Sequence, residues 1–182
     1  NGTIFFTAQN GLTGTNRDEE LWKTDGTDAG TVLVKDIYPG TVTSNPGGLT
    51  SFNNLLFFSA SDDTNGNELW VSDGTTTGTV IFKEIIAGFG SSNPQNFTVI
   101  GSTMYFAATI VGGTTVWKSD GTQAGTVQVK QTSSSGSGIN PADFTLSNGS
   151  IFFTAYAIGM DKELWKTDGT DAGTVIVKDI LP

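Results

Sequence analysis

All four tryptophans of the chain keep one register: Trp22, Trp70, Trp117 and Trp165 stand 48, 47 and 48 residues apart. The text around them returns with them. Glu20-Leu-Trp-Lys-Thr-Asp-Gly-Thr-Asp-Ala-Gly-Thr-Val is followed by Glu68-Leu-Trp-Val-Ser-Asp-Gly-Thr-Thr-Thr-Gly-Thr-Val, then by Thr115-Val-Trp-Lys-Ser-Asp-Gly-Thr-Gln-Ala-Gly-Thr-Val. The copy from Glu163 repeats the first through Val175. A Phe-Phe-Thr-Ala block recurs at Phe5, Phe57, Tyr105 and Phe152, and Asn-Pro recurs at Asn45, Asn93 and Asn140. A fixed period between about 20 and 50 residues marks an array, solenoid or propeller, because each copy must be one supersecondary unit that buries its apolar face on its neighbours.

Each period divides into short β-prone runs, which in the second copy are Leu49 to Asn53, Leu55 to Ser59, Glu68 to Ser72 and Thr79 to Ile85. The last two alternate apolar with polar residues, the period of a half-buried strand. Leu55-Leu56-Phe57-Phe58 is apolar on both faces, as suits a strand sandwiched between neighbours. The 24 glycines in 182 residues are nearly double the ordinary share of about 7% and supply turns. No segment reads as a capped helix. The expected fold is all-β, a single repeat domain over 1–182 of four-stranded antiparallel β-propeller blades, bounded near 1–40, 41–88, 89–135 and 136–182. The longest link, from the last strand of one copy to the first of the next, falls where a propeller needs it. The phase of the ends predicts fifteen of sixteen strands, either a four-bladed ring or, preferably, a window on a longer array. A solenoid or a sandwich is the competing architecture.

Composition removes several function classes. The chain has no His and no Cys, which excludes Ser-His-Asp and Cys-His nucleophile systems, imidazole or thiolate zinc sites and disulfides. With 18 acidic against 9 basic residues, the net charge of −9 argues against nucleic acid and against a polybasic membrane contact. No apolar run approaches the ~20 residues of a spanning helix, so no membrane insertion is expected, and Asn1-Gly2-Thr3 has no signal-peptide character. Because the acids recur with the repeat, the charge reads as solvated β surface.

The recurring residues have local and chemical readings side by side. Asp25, Asp73, Asp120 and Asp168 open an Asp-Gly-Thr-x-x-Gly-Thr box that reads as a structural turn, the carboxylate accepting backbone N–H groups and the glycines taking positive φ. The alternative is a calcium loop at Asp25 and Asp28 and at Asp168 and Asp171. Copies two and three carry Thr76 and Gln123 in place of the second acid, so a turn without metal is the preferred reading. Trp22, Trp70, Trp117 and Trp165 read first as packing between repeats and second as a ligand-binding platform for sugars. Glu20, Glu68 and Glu163 precede the Trp, while Asp36, Glu84 and Asp179 follow the recurring Lys35, Lys83 and Lys178. The third copy loses both acids together, with Thr115 and Gln131 in their places. That joint loss points to one shared local feature, read here as surface ion pairing with the Lys. A glycosidase pair such as Glu68 and Glu84 is the remaining alternative. The loops Gln9 to Glu19, Ser61 to Asn67, Thr109 to Thr114 and Tyr156 to Lys162 vary most, and Tyr156 and Met160 are contact candidates there.

The blocks Glu-Leu-Trp-Lys-Thr-Asp-Gly-Thr, Ala-Gly-Thr-Val and Val-Lys-Asp-Ile resemble the ELWxxDGT repeat family of bacterial proteins over essentially the whole chain. The third copy departs at Thr115, Val116 and Gln131. The resemblance implies a secreted or cell-surface protein with many repeats, and no catalytic residue. The box also loosely resembles the sialidase Asp-box, but no Trp follows the Thr, and Arg17 alone cannot make an arginine triad. The expectation is therefore a non-enzymatic extracellular binding, adhesion or structural module, without cofactor or with calcium. Its partners would be other protein domains or surface glycans, within a larger chain or assembly. A carbohydrate-binding propeller lectin is the alternative, and a glycoside hydrolase the remote one.

Overall fold

The computed structural model describes residues 2–9, 18–130, 138–157 and 161–180. The chain divides into two compact units, Asn1–Ser92 and Asn93–Pro182, each holding two repeats. In the first unit β1 (Ile4–Gln9), β2 (Glu19–Thr24) and β3 (Val32–Lys35) form one sheet, and β4 (Gly47–Phe52), β5 (Leu55–Ala60), β6 (Glu68–Ser72) and β7 (Val80–Lys83) form another. In the second unit the sheets are β8 (Gln95–Ile100), β9 (Thr103–Ile110), β10 (Gly113–Ser119) and β11 (Val127–Gln128), then β12 (Ala142–Ser147), β13 (Ser150–Tyr156), β14 (Lys162–Thr167) and β15 (Val175–Lys178). Sequential strands pair antiparallel throughout, and the described residues contain no helix. The fold is all-β, in four separate open meanders.

The repeat of the text becomes a repeat of register. The second aromatic of each Phe-Phe block faces the Trp across the strand pair: Phe6 opposite Trp22, Phe58 opposite Trp70, Phe106 opposite Trp117 and Phe153 opposite Trp165. Their rings lie 6.4, 6.2 and 6.1 Å apart in the last three copies. Cross-strand aromatic pairs of this kind set register as well as stability. A register shift recurs between Leu21 and Trp22, Leu69 and Trp70, and Leu164 and Trp165. A second shift, in the first strand pair of the last three sheets, is built on positive φ at Gly48 (66°), Asn96 (58°) and Asp143 (60°). These are residues that tolerate the left-handed region. Asn53-Asn54, both at positive φ, close the β4–β5 hairpin as a type I′ turn demands.

Two expected segments differ. The run Thr79 to Ile85 is strand only over Val80–Lys83, because the residues after Lys83 leave the sheet to bond a buried glutamate. The span Thr109 to Thr114 is strand up to a turn at Val111-Gly112, with Thr109 paired to Thr114. Glycine at 112 and 113, with φ of 113° and 102°, makes that tight reversal possible. Arg17 and Met160 lie outside the described residues.

Each unit has its own core between its two sheets. In the first, Leu21, Val34 and Ile37 of one repeat meet Leu56, Phe58 and Trp70 of the next. In the second, Tyr105, Val116 and Val129 meet Phe144, Phe153 and Trp165. No helix among the described residues is long and apolar enough to cross a membrane.

Candidate functional site

The Asp-Gly-Thr box is a self-contained turn. Asp25 Oδ1 accepts the Thr27 N–H at 2.9 Å and the Thr27 hydroxyl at 2.7 Å, and the Thr27 hydroxyl accepts the Gly30 N–H at 2.9 Å. Asp73, Asp120 and Asp168 make the same contacts with Thr75, Thr122 and Thr170. A Cβ at Gly30, Gly78, Gly125 or Gly173 would overlap the carboxylate of its own turn, which is why the second glycine is required. The threonine hydroxyl and N–H hold all four aspartates below the ordinary carboxylate pKa. Asp28 and Asp171 contribute through their backbone carbonyls, which accept the Thr31 and Thr174 N–H groups. Among the described residues, neither the Asp25–Asp28 pair nor the Asp168–Asp171 pair joins a group of three acids close enough to share an ion.

Trp70 and Trp165 line the seams between the two repeats of their units, whereas Trp22 and Trp117 belong to neither core cluster among the described residues. Trp70, Trp117 and Trp165 are buried, and Trp22 is partly exposed. Lys35 of the first repeat lies 5.7 Å from the centre of the Trp70 ring and donates to Thr79 O at 2.7 Å. The Trp165 N–H donates to Ala155 O at 3.2 Å, while those of Trp22, Trp70 and Trp117 have no partner among the described residues. Two more lysines tie seams in the same way: Lys23 Nζ to Gly74 O and Lys118 Nζ to Gly169 O, each at 2.8 Å. In the second unit Lys130 also meets Asp171, at 3.2 Å to its carbonyl and 3.6 Å to its carboxylate.

The glutamates before Trp are not surface ion-pair partners. Glu20, Glu68 and Glu163 are 0%, 0% and 2% exposed and bond backbone N–H groups of the link that leaves their repeat. Glu68 accepts from Ile85 N (2.7 Å), Ile86 N (3.2 Å), Ser92 N (3.2 Å) and Ser92 Oγ (2.6 Å). Glu20 does the same with Ile37 N, Ser44 N and Ser44 Oγ. Burial pushes both carboxyls above the ordinary glutamate value, against the pull of these hydrogen bonds. Glu84, at the second acidic position, accepts the Gly88 N–H at 2.6 Å. The two acids that vanish together in the third repeat thus hold one object, the link. There Thr115 donates to Lys130 O at 2.7 Å instead. The sequence carried a further signal: Ser44 and Ser92 precede the Asn-Pro of their links, whereas Ile139 does so after Thr115. The serine is lost where the glutamate is lost.

The open feature of the first unit is a cavity of about 610 Å³ between its two repeats, lined among others by Phe5, Lys23, Ser51, Asn54, Ser72 and Asp73. It offers one aromatic face with hydroxyl, amide, ammonium and carboxylate groups around it. Tyr156, in the variable loop of the fourth repeat, is 46% exposed. No family model matches the chain, and no curated protein matches it.

Proposed function

We propose that the chain is a non-enzymatic binding or structural module, built of β-propeller blades of the ELWxxDGT type and carried by a bacterial secreted or cell-surface protein. The observation that carries this reading is the employment of the recurring side chains. The turn aspartates, the glutamates before Trp and the seam lysines bond the chain's own backbone. A glycosidase needs two carboxyl groups free to act on a substrate. Glu68 is buried under four donors and cannot reach a substrate, which leaves exposed Glu84, whose Oε1 accepts the Gly88 N–H, without a second carboxyl of the pair. Identical registers in four sheets, joined in pairs through Trp seams, support the blade reading.

Within that reading, ligand contact belongs to the groove between repeats and not to the buried tryptophan faces. Phe5 with Ser51, Asn54 and Asp73 suits a sugar, whose C–H face packs on an aromatic ring while its hydroxyls bond polar groups. A glycan array read with the labelled chain tests this. Binding should be lost in S51W, which fills the groove from an exposed position. Binding that survives S51W overturns the groove, and an array without any signal leaves the architectural role. Hydrolysis of chromogenic glycosides that disappears in E84Q would overturn the non-enzymatic reading itself.

A further inference from the structure

The first repeat holds an arrangement that goes beyond the turn, the seam and the link. One carboxylate oxygen from each of Asp18, Glu20 and Asp36 lies within 4.8 Å of the others. Asp18 is 2% exposed and Glu20 is fully buried. Both oxygens of Asp18 and Oδ1 of Asp36 are buried without a hydrogen-bond partner among the described residues. Glu20, in contrast, is fixed from behind by Ile37 N, Ser44 N and Ser44 Oγ. The nearest lysine in sequence, Lys35, gives its ammonium to Thr79 O at 2.7 Å.

A buried carboxylate with neither a donor nor a counter-charge is among the costliest things a fold can hold. Asp18 is such a group, set against the buried Oδ1 of Asp36, whose carboxylate has only the Gly40 N–H as donor among the described residues. We propose that Asp18, Glu20 and Asp36 bind a divalent cation, calcium by chemistry, at the root of the link leaving the first repeat. The ligands are all hard oxygens, which suits Ca²⁺ or Mg²⁺ and neither zinc nor copper. Two oxygens on one ion can stand no further apart than twice the metal–oxygen distance. That limit is about 4.6–5.2 Å for Ca²⁺ and about 4.0–4.2 Å for Mg²⁺. The three oxygens, all within 4.8 Å of one another, lie inside the span that Ca²⁺ allows, and a site made of protein carboxylates suits Ca²⁺ better than Mg²⁺, which keeps several of its waters. Burial and mutual repulsion also raise the pKa of Glu20 and Asp36, with Asp18 acting on Asp36 and Asp36 on Glu20.

The other repeats are internal controls. Gly66 and Gly113 stand where Asp18 does. At Gly66 a Cβ would run into Gly90 O and Ser91 Oγ, so link backbone fills the space that the Asp18 carboxylate occupies in the first repeat. The fourth repeat has the same three acids, Asp161, Glu163 and Asp179, but Asp161 is exposed and the described residues do not gather them. The site is thus a departure of one repeat, distinct from the turn aspartates that all four share.

Calorimetric titration of Ca²⁺ into the whole chelator-treated chain, with melting curves in Ca²⁺ and in EGTA, tests the site. One ion should bind per chain and raise Tm, since a ligand held by the folded state alone stabilises it. D18N should weaken binding by about tenfold or more. In EGTA, D18N should melt at or above the wild-type temperature, because it removes a repelling charge that has no bond to lose. A merely structural Asp18 would instead lower it. D25N/D28N should leave Ca²⁺ binding unchanged. Three results overturn the site: no calcium-dependent heat or Tm shift at millimolar Ca²⁺, binding abolished by D25N/D28N and kept by D18N, or D18N melting below wild type in EGTA. Arg17 precedes Asp18 outside the described residues, so R17A supplies the last arm. Ca²⁺ binding that appears only in R17A assigns the neutralising charge to that guanidinium and overturns the ion.

Discussion

The second and third repeats solve one problem with opposite chemistry. Leaving the outer strand, the chain must enter a link whose N–H groups no longer have a strand partner. In the second repeat Glu68 supplies a buried carboxylate that accepts from residues 17, 18 and 24 positions further on. In the third repeat Thr115 occupies that place, donates to Lys130 O, and the link presents Ile139 to the core where the second presents Ser92 to Glu68. A charged acceptor gathers many donors but is costly to bury, as the raised Glu68 pKa records. A hydroxyl gathers one acceptor and costs little. The period of the fold is preserved by either, provided that the residue before Asn-Pro changes with it.

The strongest way to break this comparison is Glu68→Ala. It leaves the Ile85, Ile86 and Ser92 N–H groups without their acceptor, and about 3 kcal/mol or more should be lost. Urea denaturation measures it, and a loss under about 1 kcal/mol would show that the carboxylate does not hold the link. Gly78→Ala and Gly125→Ala are the matched control, since both turns place a carboxylate where the new methyl would go. Each should cost about 1–3 kcal/mol, and alike, whereas the Glu and Thr positions should differ. Thr115→Val, nearly isosteric, removes only the bond to Lys130 O and should cost about 1 kcal/mol. A cost equal to that of Glu68→Ala would erase the distinction between the two repeats.

The smallest expected effect is in pH. Glu68 has a folded-state pKa above 4.5, so its contribution to stability is fully present below about that pH and is lost as pH rises through the folded value. The turn aspartates, lowered from 3.8, act oppositely: their contribution is present above that pH and is lost as pH falls through the folded value. Stability followed from neutral pH downward should therefore rise, pass a maximum and fall. Glu68→Gln should make the rise shallower and leave the acid-side fall in place. An unchanged rise would detach it from Glu68.

The Asp-Gly-Thr-x-x-Gly box was legible because its bonds span two to four residues and its glycines answer to local geometry. The strand runs were legible for the same reason. The glutamate before Trp was not, since Glu beside a recurring Lys reads as solvated charge, and its true partners are backbone groups far along the chain. Asp18 falls in the variable loop Gln9 to Glu19, and only its burial beside Glu20 and Asp36 sets it apart. The acids of the repeat are accordingly not all solvated surface: Asp18, Glu20, Glu68 and Glu163 are buried.

The amino-acid text alone establishes the period, the strand content and the turn chemistry, because each follows from side-chain type at short range. Tertiary structure alone decides which link N–H groups meet Glu68, which lysine crosses to Gly74 or Gly169, and which three carboxylates converge. The physical reason is that backbone donors are the same at every position. Nothing in the letters marks the ones that a departing strand leaves unpaired, and only packing brings a distant acid to them.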